Sequence, residues 1–289
     1  MIFKELENAL KFGAANNKKR EPLRIRKGIY GMGLVLGILN LGWDFTIRTR
    51  SIFEKVEYKT SINTKHIYDE ELKLCDIDVN IYPNHDKEGP LKNYKCGTYI
   101  RIEKLLKRKH NPEIWRQELG RSFSPEIKFE GVKIIVIDNS YGKNIEFEPC
   151  EPEIIDIIPE TKVLLDPLNL QIVPDYGDNK EPMQIKGWVA LRRKSGSGSG
   201  LWGLHTFYNG QLIEAFHHNG PNNNGLLPFN PHLSFSRIHG EIHLDMCTPT
   251  FTKLDWNTEL ESWTTARKAL NEVLSVIIKA SKEYRVKLD

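Results

Sequence analysis

Lys27-Gly28-Ile29-Tyr30-Gly31-Met32-Gly33-Leu34 joins three glycines and a cation to an apolar run that continues to Leu39, a combination suited to holding an anion. Glycines without a Cβ allow a tight turn, and Leu34-Val35-Leu36-Gly37-Ile38-Leu39 reads as a buried helix opening there. A helix start carries unpaired N–H groups and the positive end of the macrodipole, so a phosphate can approach it closely. A second cluster with chemical potential is His239, Glu241, His243 and Asp245, which alternate with Ile238, Gly240, Ile242, Leu244 and Met246. That pattern predicts a strand with one wet face, along with Arg237. Four such side chains projecting together could ligate a divalent ion, or they could form the ordinary solvated face of an antiparallel strand. His217-His218 reads as a loop pair and adds little to the cluster.

Several elements must position these residues. Ile2, Phe3, Leu6, Ala9 and Leu10 fall at helical spacing and predict a short amphipathic helix stopped near Gly13. Residues 14 to 27 are polar and basic around Pro22, a loop composition. Trp43 to Arg50 and Asp76 to Tyr82 alternate as half-buried strands, and a third strand opens through Gly97-Thr98 and runs to Ile102. Glu103 to His110 reads as a solvated basic face before Pro112 interrupts it. The apolar stretch Gly131 to Asp138 predicts a buried strand, with Asn139 to Gly142 as its turn. Residues 150 to 182 carry Pro152, Pro159, Pro167, Pro174 and Pro182, which marks a connection between domains with a boundary near Pro167. Two strands, 187 to 191 and 201 to 208, flank a flexible Gly/Ser loop, and Asn209-Gly210 is a hairpin turn pairing 201 to 208 with 211 to 216. Trp263, Ala266, Leu270, Val273, Leu274, Ile277, Ala280 and Tyr284 form the stripe of a long closing helix.

Composition bounds the class. The chain has 289 residues, 39% of them hydrophobic and 27% charged, which is enough for two packed domains. A net charge of +3 does not by itself argue for nucleic acid. The four cysteines, Cys75, Cys96, Cys150 and Cys247, share no C-x-x-C spacing, so they read as reduced thiols and not as a zinc ribbon or disulfide framework. No signal-peptide region follows Met1, and no run approaches the ~20 apolar residues of a membrane helix. A cytoplasmic location and no membrane partner are therefore expected.

Read together, Met1 to Asn16, the basic loop and the glycine turn resemble the GHKL ATPase family, and within it the microrchidia proteins most. In that family an Asp-x-Gly-x-Gly-Met motif leads into a helix ending in a Lys-Phe-Gly corner, here Lys11-Phe12-Gly13; a lid follows, and a second glycine motif caps the phosphates. The later chain extends the resemblance. Phe207-Tyr208-Asn209-Gly210-Gln211-Leu212-Ile213-Glu214 is similar to the family's aromatic strand, turn and Arg-or-Gln-Leu-Ile segment, and Ser236 to Asp245 to its next strand. Pro249-Thr250-Phe251-Thr252-Lys253-Leu254-Asp255-Trp256 is similar to its Pro-Thr-x-x-Lys-x-Asp-aromatic loop. One departure is Val35, where many relatives carry lysine.

The resemblance implies an α+β protein with an incomplete Bergerat-type ATP-binding α/β sandwich at 1–165 and a ribosomal-protein-like βαβ transducer domain at 166–289. It implies that Phe12, Gly13, Lys27, Gly28, Gly31, Met32, Gly33, Leu34, Gly97 and Thr98 lie around ATP. Lys253 takes the place of the lysine that reaches the γ-phosphate from the transducer domain. It also implies a homodimer that closes on nucleotide, with DNA or a defence-system protein as a further partner. Met1 takes the place of the last residue of the first glycine motif. The adenine-reading Asp, the general-base Glu and the Mg²⁺-binding Asn are therefore expected upstream of these residues, leaving the chain with little hydrolysis of its own. The alternative is a non-enzymatic interaction module that keeps the fold; a metal-dependent hydrolase on the His239/His243 strand trails both. A histidine kinase is disfavoured, because the transducer segment and no phosphoacceptor helix follows.

Overall fold

In a computed structural model of the chain, Gly42–Arg50 forms strand β1, and its burial follows the alternation of its sequence: Phe45, Ile47 and Thr49 are buried while Asp44, Thr46 and Arg48 are partly exposed. The structure describes residues 6, 37, 41–53, 56–65, 81–84, 89–106, 111–138, 145–146, 149–152, 155–165, 171–174, 182–196, 201–220, 224–228, 232, 235–250 and 252–288. Phe12, Gly13, Lys27, Gly28, Gly31, Met32, Gly33 and Leu34 lie outside them, as do nearly all of the helix expected over 2 to 12 and most of the strand expected over 76 to 82. The chain divides into two compact units, 1–110 and 111–289. The sequence-based boundary lies later, at 165/166.

In the first unit β1 pairs antiparallel with β2 (Glu57–Asn63) and with β4 (Gly97–Leu105), and β2 pairs with β3 (Tyr82–Asn84), giving the order β3-β2-β1-β4. Leu6, Phe45 and Ile47 form its core, with Tyr58, Ile62, Ile81 and Ile102 packed against them. On the opposite face the Glu57 carboxylate is 2% exposed. Arg50 Nη2 lies 3.0 Å and Arg48 Nη1 3.7 Å from its two oxygens, so the buried charge is compensated.

The second unit is a five-stranded sheet, ordered β12-β11-β13-β10-β7, covered by helices on both faces. Its strands are β7 (Ile157–Leu164), β10 (Lys186–Arg192), β11 (Gly203–Tyr208), β12 (Gln211–His217) and β13 (Ile238–His243). All neighbours are antiparallel except β11 and β13, which run parallel. Two short ribbons accompany it, β5 (Ile137–Asp138) with β6 (Ile145–Glu146) and β8 (Gln171–Ile172) with β9 (Met183–Gln184). The hairpin turn is as expected: Asn209 and Gly210 both have positive φ, 47° and 74°, the backbone of a tight primed turn.

Helix α1 (Pro112–Ser122) and helix α2 (Ser124–Phe129) follow the basic stretch of 103 to 110, in a segment where the sequence reading expects no element. Asn111 caps α1 by accepting the Glu113 N–H at 3.0 Å, and Pro112 stands where a missing N–H costs nothing. Gly120 lets the 150–151 segment lie against the helix, since a Cβ there would meet the Glu151 carbonyl oxygen at 2.0 Å. The long helix α3 (Glu261–Leu288) buries Trp263, Ala266, Leu270, Leu274 and Ile277 against the other side of the sheet, as its stripe predicts.

Two expectations are corrected. Of Gly131 to Asp138 only the last two residues are strand, and Val132, Ile135 and Ile137 are exposed. The apolar run there has only the two-residue β6 as a described strand partner, so its hydrophobicity does not translate into burial. Strand β7 lies inside the proline-rich stretch that reads as a connection. Pro159 is accommodated because β7 is at the sheet's edge, where one N–H can be missing from the ladder.

Candidate functional site

Lys253 sits on a closed loop at the end of the second unit's sheet. Pro249 and Trp256 bridge its base, the Thr250 N–H donates to the Asp255 carbonyl at 2.8 Å, and the Lys253 N–H donates to the Thr250 carbonyl at 2.9 Å. Trp256 anchors the loop: it is 2% exposed, and its Nε1 donates to Thr206 Oγ1 at 2.8 Å. Lys253 itself has φ of 54°, a left-handed conformation that costs a side-chain-bearing residue on the order of 1 kcal/mol and clusters at functional sites. Its Nζ donates to Gln211 Oε1 at 3.2 Å. Partial burial lowers its pKa from the ordinary lysine value, because desolvation disfavours the ammonium.

Gly97 and Thr98 open β4 beside Thr49 and Arg50. Thr49 Oγ1 donates to the Gly97 carbonyl at 3.3 Å and lies 3.0 Å from Thr98 Oγ1. Arg50 Nη1 donates to the Leu91 and Tyr94 carbonyls, each at 3.0 Å, and so pins the turn that leads into them. Thr98 is exposed, and the strand opening is built to hold one backbone path.

The strand carrying His239, Glu241 and His243 differs from expectation. Its second face is covered, and His239 is 2% exposed. Helices α1 and α2 supply the cover: Lys128 Nζ lies 2.8 Å from Glu241 Oε1, and the Arg121 guanidinium lies 4.9 Å from the Phe216 ring centre. Beneath them the His205 and His239 rings meet edge to face at 4.7 Å, with Phe216 and Trp188 as aromatic neighbours. Burial, reinforced by Arg192, Lys128 and Arg121, lowers the His239 pKa to about 3; burial and the neighbouring His239 lower that of His205 to about 2. Both imidazoles are therefore neutral. The other members of the supposed ligand set are engaged separately: His243 stacks on Phe207 at 5.0 Å, and the Asp245 carboxylate accepts the Asn209 N–H at 2.6 Å. Burial pushes the Asp245 pKa up. Among the described residues no group of three or more His, Cys, Asp or Glu is arranged to hold a metal ion.

Sequence reasoning singled out Lys253 but missed Gln211 and His205. The Asn209-Gly210 turn was the available signal for Gln211, since such a turn fixes where the next side chain starts. For His205 it was the alternation of His205 and Phe207 with Leu204 and Thr206. Compared with known proteins, the chain matches no family model and no curated protein.

Proposed function

We propose that this chain is a GHKL-type ATP-binding protein in which nucleotide closes a homodimer, with Lys253 as the sensor of the γ-phosphate. The observation that carries this reading is the lysine's own setting. In this reading a half-buried ammonium on a strained and closed loop, hydrogen-bonded to the neutral Gln211 amide oxygen, exchanges that acceptor for a phosphate oxygen. The Pro249 to Trp256 motif, the α+β architecture with its long closing helix, and the Asn209-Gly210 hairpin are consistent with the transducer domain of that family. The glycine turn of Gly28, Gly31, Met32, Gly33 and Leu34, with Gly97 and Thr98, is the phosphate and nucleotide site in this reading. Magnesium accompanies ATP in the family, and no residue named here is assigned to it.

The test compares a non-hydrolysable ATP analogue with ADP, using the protein as expressed from its gene and sedimentation to read its dimerisation. Lys253→Ala is expected to weaken ATP-dependent dimerisation about tenfold or more, the loss of one charge-assisted contact, while ADP affinity stays nearly constant. Equal losses for both nucleotides would overturn the assignment. The second reading, a non-enzymatic interaction module, has one observation in its favour: Phe129, Val132, Ile135 and Ile137 are exposed within a single short stretch. Dimerisation indifferent to either nucleotide would favour it.

A further inference from the structure

We propose that strand β4 is a dimerisation edge: two copies of the chain join the sheets of their first units by pairing β4 antiparallel with β4 across a two-fold axis at Ile100. This contact is separate from the nucleotide-driven closure and does not rest on Lys253. Among the described residues the outer edge of β4 has no strand beside it, while its inner edge pairs with β1 in one register from Arg50 and Gly97 to Gly42 and Leu105. Lys104, with φ of 53°, ends the extended run, so Gly97 to Glu103 form a regular edge. The other edges of the two large sheets are blunted in ways that keep sheets from joining. Strand β3 has 3 residues, β7 carries Pro159 and breaks register against β10, and β12 breaks register against β11. From Gly97 to Glu103, β4 has no such break.

The side chains along that edge select a second copy as the occupant. A two-fold axis normal to the sheet passes through one residue, which then faces its own copy. Ile100 is the middle of the regular run, so an axis there pairs the run over its whole length. Tyr99 then faces the copy's Arg101, Thr98 faces Ile102 and Gly97 faces Glu103, each pair occurring twice. Ile100 is 44% exposed, although its neighbour across the β1 ladder, Ile47, is 1% exposed. Its copy extends that apolar side past the edge and covers it. On the other side of the sheet Tyr99 beside the copy's Arg101 pairs a ring with a cation, and the ion pair of Arg101 with Glu103 at 2.8 Å within each strand keeps both guanidinium groups compensated. Neighbouring registers are worse. An axis at Arg101 sets two guanidinium groups opposite each other, and one at Ile102 carries the pairing past the bend at Lys104.

Sedimentation of the full chain without nucleotide, from about 1 to 100 μM, is expected to show a concentration-dependent dimer, because a contact along one strand edge is small. Ile100→Lys sets two ammonium groups opposite each other and is expected to raise the dimer's dissociation constant about tenfold or more, with an unchanged urea midpoint showing that the monomer still folds. Cross-linking reads the register. With Cys75 and the exposed Cys96 replaced by serine, Ile100→Cys is expected to form an intermolecular disulfide under mild oxidation about tenfold faster than Thr98→Cys, since Thr98 faces the copy's Ile102 and lies out of disulfide reach of its own copy. A monomer at every concentration, or equal cross-linking rates at the two positions, overturns the proposal; a monomer would leave the edge to a strand of another protein. In Ile100→Lys, association driven by the ATP analogue is expected to persist. Its loss together with the resting dimer would make the two contacts one and overturn this separate pairing, whereas a β4 dimer that ignores nucleotide would overturn the closure reading alone.

Discussion

Acidification is expected to strip the second unit of stability steeply below pH 6.5, with a loss on the order of 5 kcal/mol by pH 4. The cause is the pair of neutral imidazoles under α1 and α2. Their folded-state pKa values, about 2 for His205 and about 3 for His239, lie far below the ordinary 6.5. The unfolded chain therefore binds more protons than the folded one throughout that window. Stability fully present above pH 6.5 is lost as pH falls, at roughly 1.4 kcal/mol per pH unit for each histidine. Arg121, Lys128 and Arg192 face the pair with positive charge and oppose its protonation further. Asp245 works the other way, because its raised pKa makes the folded state the better proton binder there, and it offsets part of the slope. Five of the six tryptophans belong to residues 111–289, so fluorescence reports mainly on this unit. Urea midpoints from pH 7 to 4 should fall steeply in the native protein and only slightly in His205→Leu/His239→Leu. Parallel pH profiles would rule out the pair as the cause.

Trp263→Ala is expected to cost the second unit about 3 to 5 kcal/mol, the usual range for emptying a buried tryptophan site. Three contacts are lost at once. The ring is 1% exposed, stacks on Trp256 at 5.7 Å, and donates from Nε1 to the Asn224 carbonyl at 2.7 Å. Removing it leaves a cavity in the α3 stripe and leaves the Asn224 carbonyl without that donor. Trp263→Phe keeps most of the ring and should cost only about 1 to 2 kcal/mol, mainly the hydrogen bond. Denaturant unfolding separates the two cases; equal losses in both would mean that the N–H, and not the packing, carries the site. Because Trp256 also anchors the Lys253 loop, Trp263→Ala should loosen that loop as well.

The strands whose two faces differ in chemistry were legible from sequence. Trp43 to Arg50 alternates because one side packs on Leu6 and Ile62 and the other carries Arg48 and Arg50. The Asn209-Gly210 turn and the stripe of α3 were legible for the same reason, each being a local rule with a local cause. What failed depended on neighbours distant in the chain. His239 reads as solvent-facing until α1 and α2 are laid over it, and nothing in Ile238 to His243 announces their arrival. Asn111-Pro112-Glu113 did carry a helix-start signal, but the preceding basic run drew attention to Pro112 as a break. Ile134 to Ile137 shows the converse error, since apolar composition alone does not supply a partner strand. Lys253 was singled out by its motif, and its hydrogen bond to Gln211 required knowing that two segments 42 residues apart meet at one corner.

The strand order β12-β11-β13-β10-β7 also bears on how the chain is made. Strands β10 and β11 follow one another in sequence but are not neighbours; β13, synthesised later, is inserted between them. Until residue 243 has left the ribosome, both carry an unsatisfied edge of backbone N–H and C=O groups waiting for the same late-arriving strand. A premature stop or a stall before Ile238 would therefore release two sticky edges and not a smaller folded sheet, and chaperone demand during translation should peak over that interval.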